Sequence, residues 1–396
     1  MQNISWRYRK YIPWALLGIV IVAGALYLFL EKSSEQYDFE ITDELGGNIF
    51  PSAIISVATT DAEVIKPSHY PYVGNPKSVI SVKMKSRSAF TRVRIEVAAS
   101  PFWAKSVSEF VLPKGRTVYT VYPDIIWNYD ALRQNVQAAP VSVVINVEVN
   151  GKKKGQRLRT FAVRGINECL LGYTTDGKKF HDTSLFFVAY VNEENPMIDK
   201  LLREALNTRI VNRFMGYHGS PEMVDKQVYA LWHVLQKRNF RYSSVTTSSL
   251  SSNVVFSQRV RTFDDALESS QINCVDGSVL FASLLKAVNI DPILVRTPRH
   301  MFVGYYTDKK KEKKTFLETT MIGDVNLDDF FPGDQLDSTM QGKSQSQISR
   351  LAFEKSKEYA NSKFAESESE IRSGKTGYMY LEVSKYIRRQ IQPLGK

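Results

Sequence analysis

Thiols are scarce in this chain: two cysteines, Cys169 and Cys274, among 396 residues. So few exclude a disulfide-stapled scaffold and a four-cysteine zinc site, and each one needs an explanation. Histidine is nearly as rare. Five scattered histidines and two cysteines form no close ligand pair, so neither a metal nor a cofactor is expected. Charge of one sign does not dominate either, since 52 Lys and Arg stand against 41 Asp and Glu, for a net charge of +11. The basic excess is dispersed in short groups (Arg7, Arg9, Lys10; Lys152 to Lys154; Lys309 to Lys314), none followed by a nucleic-acid module, so no nucleic-acid partner is expected. What remains, 43% hydrophobic and 23% charged, is a globular composition rather than a disordered, collagenous or coiled-coil one.

Long apolar runs are lacking after residue 30, but one stands before it. Ile12 to Leu30 (IPWALLGIVIVAGALYLFL) is nineteen uncharged residues, roughly 28 Å as a helix, which matches a bilayer core. Arg7, Arg9 and Lys10 precede it, so the positive-inside rule leaves residues 1–11 as a cytoplasmic tip and sends the rest of the chain outside. The alternative is a cleaved signal peptide. Ala23-Gly24-Ala25 supplies small residues, but YLFL follows them, whereas a cleavage site follows a shorter apolar region. The expectation is therefore a single-pass protein of the inner (cytoplasmic) membrane, anchored by 12–30, with a polar spacer over 31–47 and an ectodomain of about 360 residues.

Alternating or β-branched segments come next: AIISVATT (Ala53 to Thr60), SVISVKMK, TRVRIEVAA, SEFVL, TVYTVY, VSVVINVEV and QRLRTFAVR (Gln156 to Arg164). Turn residues separate them, with NGKK as a hairpin turn. Seven short strands predict an antiparallel β-sandwich of the immunoglobulin-like kind over 48–165, a module with no paired nucleophile and base. From 166 to 396 the texture is α+β. A strand is expected at Ser184 to Val191, and a helix starting at Ser220-Pro221 carries a core stripe with His233 beside it as a packing residue. The polar run Ser243 to Ser252 is either disordered or a loop over a site.

Chemistry concentrates between Arg261 and Asp324. Cys274 opens an apolar helical run with Asn273 as N-cap and Asp276 in its first turn, where amide N–H groups and the helix dipole favour a thiolate and can hold an oxyanion. HMFVGYY (His300 to Tyr306) and TFLETT (Thr315 to Thr320) flank the turn KKKEKK as a hairpin. A turn centred near 309 or 310 sets His300 and Glu318 opposite or nearly opposite each other. Cys274, His300 and Glu318 then supply nucleophile, base and orienting carboxylate. A Cys169–Cys274 disulfide is the competing use of the thiols outside the cytoplasm.

CVDGSVLFAS, PRHMFVGYY and TFLETT, together with the ending MYLEVSKYIRRQIQPLG, resemble a bacterial branch of the transglutaminase-like superfamily over about Asn167 to Lys396. That resemblance implies a papain-like core. Residue by residue it gives Cys274 as nucleophile, His300 as base and Glu318 as third member, and it places the ectodomain in the periplasm rather than on the cell surface. Gln271, three residues before Cys274, is an oxyanion candidate by analogy. Three departures stand out: glutamate replaces the usual aspartate, Arg299 replaces a glycine, and Met301 replaces a small residue, so that a bulkier neck flanks the base. The resulting expectation is a membrane-anchored cysteine acyl-transfer enzyme hydrolysing a peptide or isopeptide bond in an envelope substrate. The alternative is a catalytically inactive binding or assembly module that holds an envelope partner protein.

Overall fold

In Thr91–Val97 (TRVRIEV) every second residue is buried and the intervening ones reach solvent, the signature of a strand with one face on a core. The computed structural model describes residues 38–243, 251–323 and 326–395. Two units emerge: one comprises 38–43, 67–128 and 141–161, and the other comprises the described residues of 44–66, 129–140 and 162–395. The stretches 48–66 and 129–140, which the sequence places in the sandwich, thus cluster with the second unit.

The first unit is built on two sheets. One orders its strands Phe39–Asp43, Ile80–Lys85, Val118–Tyr122 and Tyr72–Gly74, the last pairing parallel. In the other, Thr91–Val97 lies antiparallel between Ser106–Leu112 and Ala139–Val149, with Lys152–Val163 beyond. Trp103, 1% exposed, stacks edge-on to Trp127 and donates its indole N–H to the Ala98 carbonyl at 2.9 Å.

The second unit carries the chemistry. Its four-stranded antiparallel sheet runs Lys314–Leu317, His300–Tyr306, Pro292–Thr297, Met379–Glu382. Ile293, Val295, Phe302, Tyr306 and Phe316 share one face and bury against Ala360 and Phe364 of the long helix Gln345–Arg372. That helix starts at a Ser344–Gln347 capping box. Gly304 leaves room for the Phe316 ring across the hairpin, where an added Cβ would lie 2.4 Å from it.

Two expected strands are helices. Pro51–Val57 is an α-helix with every residue buried, and Ser184–Tyr190 is a 3₁₀ helix. Both are short, largely buried apolar runs, for which periodicity does not separate strand from helix; the informative residue is Pro51, pre-set for the first helical position.

The expected membrane architecture is corrected. Ile12–Leu30 lies outside the described residues, and among the described residues no helix is long and apolar enough to cross a membrane. The longest, Gln345–Arg372, has the length at 28 residues but is charged along its course (EKSKEYANSKFAESESEIR). The described fold is accordingly α+β with several sheets and no spanning helix. The single-pass anchor and the inner-membrane and periplasmic placements that depended on it are withdrawn.

Candidate active site

Cys274 is the first residue of the helix Cys274–Ala287, and the local sequence N-C-V-D fixes that start. Asn273 Oδ1 accepts from the amides of Val275 (2.8 Å) and Asp276 (2.9 Å), while Asp276 Oδ2 accepts from the Asn273 amide (3.1 Å), a reciprocal cap. Arg261 secures it from outside, its amide donating to Asp276 Oδ1 at 2.8 Å and its guanidinium to Oδ2 at 2.5 Å. Burial pushes the Asp276 carboxyl up, opposed by these donors from Arg261 and Asn273. The cap has a chemical consequence. Two first-turn amides are spent on Asn273, which leaves the Cys274 N–H as the first-turn donor with no acceptor among the described residues.

His300 begins its strand immediately after a two-residue turn, Pro298-Arg299, closed by the Thr297↔His300 pair. The next hairpin pairs Val303↔Leu317 and Gly304↔Phe316. That register centres the turn at residue 310 and makes His300 and Glu318 diagonal neighbours on one face rather than direct partners. The side chains nonetheless meet, with His300 Nε2 and Glu318 Oε2 2.5 Å apart. Glu318 is wholly buried: its Oε1 accepts from the Thr320 amide (3.0 Å) and hydroxyl (2.7 Å), and its own amide donates to Ser356 Oγ of the long helix (2.8 Å).

Cys274 also acts on the His300 ring, its side chain helping to raise the histidine pKa. With Nε2 taken by Glu318, Nδ1 is the nitrogen left for sulfur. Burial by itself would lower the histidine pKa, but hydrogen bonds and charge from Cys274 and Glu318 more than reverse it and raise it to about 10.

The structure therefore brings His300 and Glu318 together, with Cys274 acting on the same ring. Gln271 is exposed on the short strand Gln271–Ile272, and no described hydrogen bond ties it to Cys274. Met301 is 1% exposed and, by strand alternation, lies on the sheet face opposite His300. Both cysteines are free, and burial pushes the Cys169 thiol well up.

Sequence reasoning missed two neighbours. Arg261 carried no signal of its own because its partner is fifteen residues away. Tyr242 arrives through a parallel pairing of Arg241–Tyr242 with Gln271–Ile272, a long-range contact that no local pattern announces. The phenol pKa is raised by partial burial and then by the charges of Cys274, Glu318 and Asp276. Residues 244–250 of the expected polar loop lie outside the described residues. His233 is buried and packs its ring on Tyr229.

Cavities of about 310 Å³ (lined by Tyr190, Asn192 and Arg261) and about 720 Å³ (lined by Arg209, Asp225 and Arg350) exclude Cys274, His300 and Glu318, so the site is not walled by either. Among the described residues no group of three or more His, Cys, Asp or Glu side chains is placed to hold a metal ion. Compared with known proteins, the chain matches no protein-family model and no curated protein.

Proposed function

We propose that the protein is a cysteine acyl-transfer enzyme, its outcome the hydrolysis of a peptide or isopeptide bond in a protein or peptide substrate. The observation that carries this reading is the His300 ring, with Nε2 at 2.5 Å from the buried Glu318 carboxylate and a pKa raised by both Glu318 and Cys274. Such a histidine, protonated up to about pH 10, supplies the cation and the proton that sulfur attack on an amide requires. Sulfur attacks the amide carbonyl carbon, and the oxyanion that forms is met by the Cys274 N–H, which has no acceptor among the described residues. The C–N bond breaks as Nδ1 gives its proton to the departing amine, leaving a thioester and a neutral imidazole. Water then attacks the thioester while Nδ1 takes its proton; the C–S bond breaks, the acid leaves and the pair is restored.

Hydrolysis is preferred to transamidation because the site is open. The His300 side chain is 29% exposed and Tyr242 51% exposed, so water reaches the acyl-enzyme. The same openness suits a length of polypeptide better than an enclosed small molecule. The resemblance of CVDGSVLFAS, PRHMFVGYY and TFLETT to transglutaminase-like enzymes supports the same chemistry. The inactive-module alternative leans on Arg299 and Met301, and of these Arg299 is exposed while Met301 is buried.

The test is alkylation of Cys274 by iodoacetamide in the whole chain as a function of pH, with His300→Ala beside it. The wild type is expected to react roughly tenfold or more faster than the variant at pH 6. A Cys274 that reacts equally fast with and without His300 removes the proposal.

A further inference from the structure

We infer that this site selects acidic polypeptide segments, a reading that rests on the proposed acyl-transfer function and adds the substrate class. Cations flank the pair on both sides. On the Cys274 side, Arg241 stands in register with Gln271, three residues before the nucleophile, and both are exposed. On the His300 side, Arg299 immediately precedes the base in the two-residue turn and is exposed. Against that turn lies the segment containing Gly377, where an added Cβ would meet Pro298 at 3.5 Å; Lys375, also exposed, is two residues earlier.

None of these three cations is held in a salt bridge among the described residues, and only Lys375 has another charge-sensitive neighbour, its ammonium lying 5.5 Å from the Tyr378 ring centre and adding its charge to the hydrogen bonds that draw the Glu370 carboxyl down. The two acids at the reacting centre are already spent, Asp276 on Arg261 and Glu318 on His300. The exposed acids of the neighbouring helix Phe263–Ser269 are six or more residues from Cys274, whereas Arg241 is in register three residues before Cys274 and Arg299 directly precedes His300. An extended chain laid across Cys274 therefore passes unpaired positive charge before and after its scissile amide. Acidic side chains there gain screened but cooperative attraction, and basic ones are repelled.

The probes are two chloroacetyl tripeptide amides, one carrying two glutamates and the other two lysines, with Cys274 alkylation followed by mass spectrometry on the full chain. The acidic probe is expected to react about tenfold faster at low ionic strength and to lose most of that lead in about 0.5 M salt. In Arg241→Gln/Arg299→Gln the rate ratio falls toward one, while Arg241→Lys/Arg299→Lys retains it. Since every variant keeps His300, the imidazolium does not account for the change. Equal rates for the two probes, or a ratio that survives the double glutamine variant, overturn the acidic preference while leaving the acyl-transfer reading in place. Labelling indifferent to His300→Ala overturns that reading and this inference with it.

Discussion

Glu318 and Asp276 are both buried carboxylates within a few residues of the reacting groups, and what each one faces separates their work. Asp276 meets a guanidinium and a backbone amide and holds the nucleophile's helix start, whereas Glu318 meets the imidazole. The glutamate, where the resemblance leads one to expect aspartate, follows from the register: a diagonal neighbour is about 7–8 Å away, and the extra methylene adds about 1.5 Å of reach. Glu318→Gln should therefore lower the His300 pKa, read by histidine NMR titration, because it deletes the anion and keeps the size. A stability signature accompanies it. The folded value of about 10 lies above the ordinary value of about 6.5, so the protonated ring stabilises the fold in full below about pH 6.5, and this contribution is lost as pH rises through about 10. The thermal midpoint of the wild type should exceed that of Glu318→Gln most at pH 6, with the gap closing toward pH 10. A gap that widens with pH would contradict this account.

At the scale of elements, the nucleophile helix is placed by a missing side chain. Gly277 lies one turn into Cys274–Ala287, and a Cβ there would stand 2.7 Å from Thr319 Oγ1 and 2.9 Å from Thr319 Cβ, on the residue after Glu318. Alanine gains about 1 kcal/mol in helix propensity, but the overpacking costs about 1–3 kcal/mol and pushes the helix away from the carboxylate's support. Gly277→Ala is thus expected to lower the denaturant midpoint, and a higher midpoint would show that the helix has slack against Thr319. The hairpin and the helix start were legible in the sequence because each is a local pattern: an N-cap before an apolar run, and two β-rich segments around a charged turn. The pairing of Arg241–Tyr242 with Gln271–Ile272 and the Arg261 brace were not, since both join residues far apart through tertiary packing. Pro51–Val57 misled for a different reason: fully buried on every side, it shows no alternation to read.

Across the whole molecule the two thiols divide between accessibility classes, and that division tests whether Cys274 is free to act. Cys169 sits at 0% exposure in the strand Glu168–Thr175, between Lys179–Asp182 and Val255–Arg259, and its desolvation opposes the thiolate that alkylating reagents need. Cys274 is partly exposed at its helix start. A thiol titration of the native chain under non-reducing conditions should therefore count one reactive cysteine, and two after denaturation, with Cys169 labelling following the global unfolding curve of the second unit. A count of zero in both states would mean that the two cysteines are joined, the use of thiols that competes with nucleophilic attack, and Cys274 would be silenced until reduced. Two reactive thiols in the native chain would mean that the strand around Cys169 opens without global unfolding. The packing of Lys179–Asp182, Glu168–Thr175 and Val255–Arg259 would then be looser than the 0% exposure of Cys169 implies.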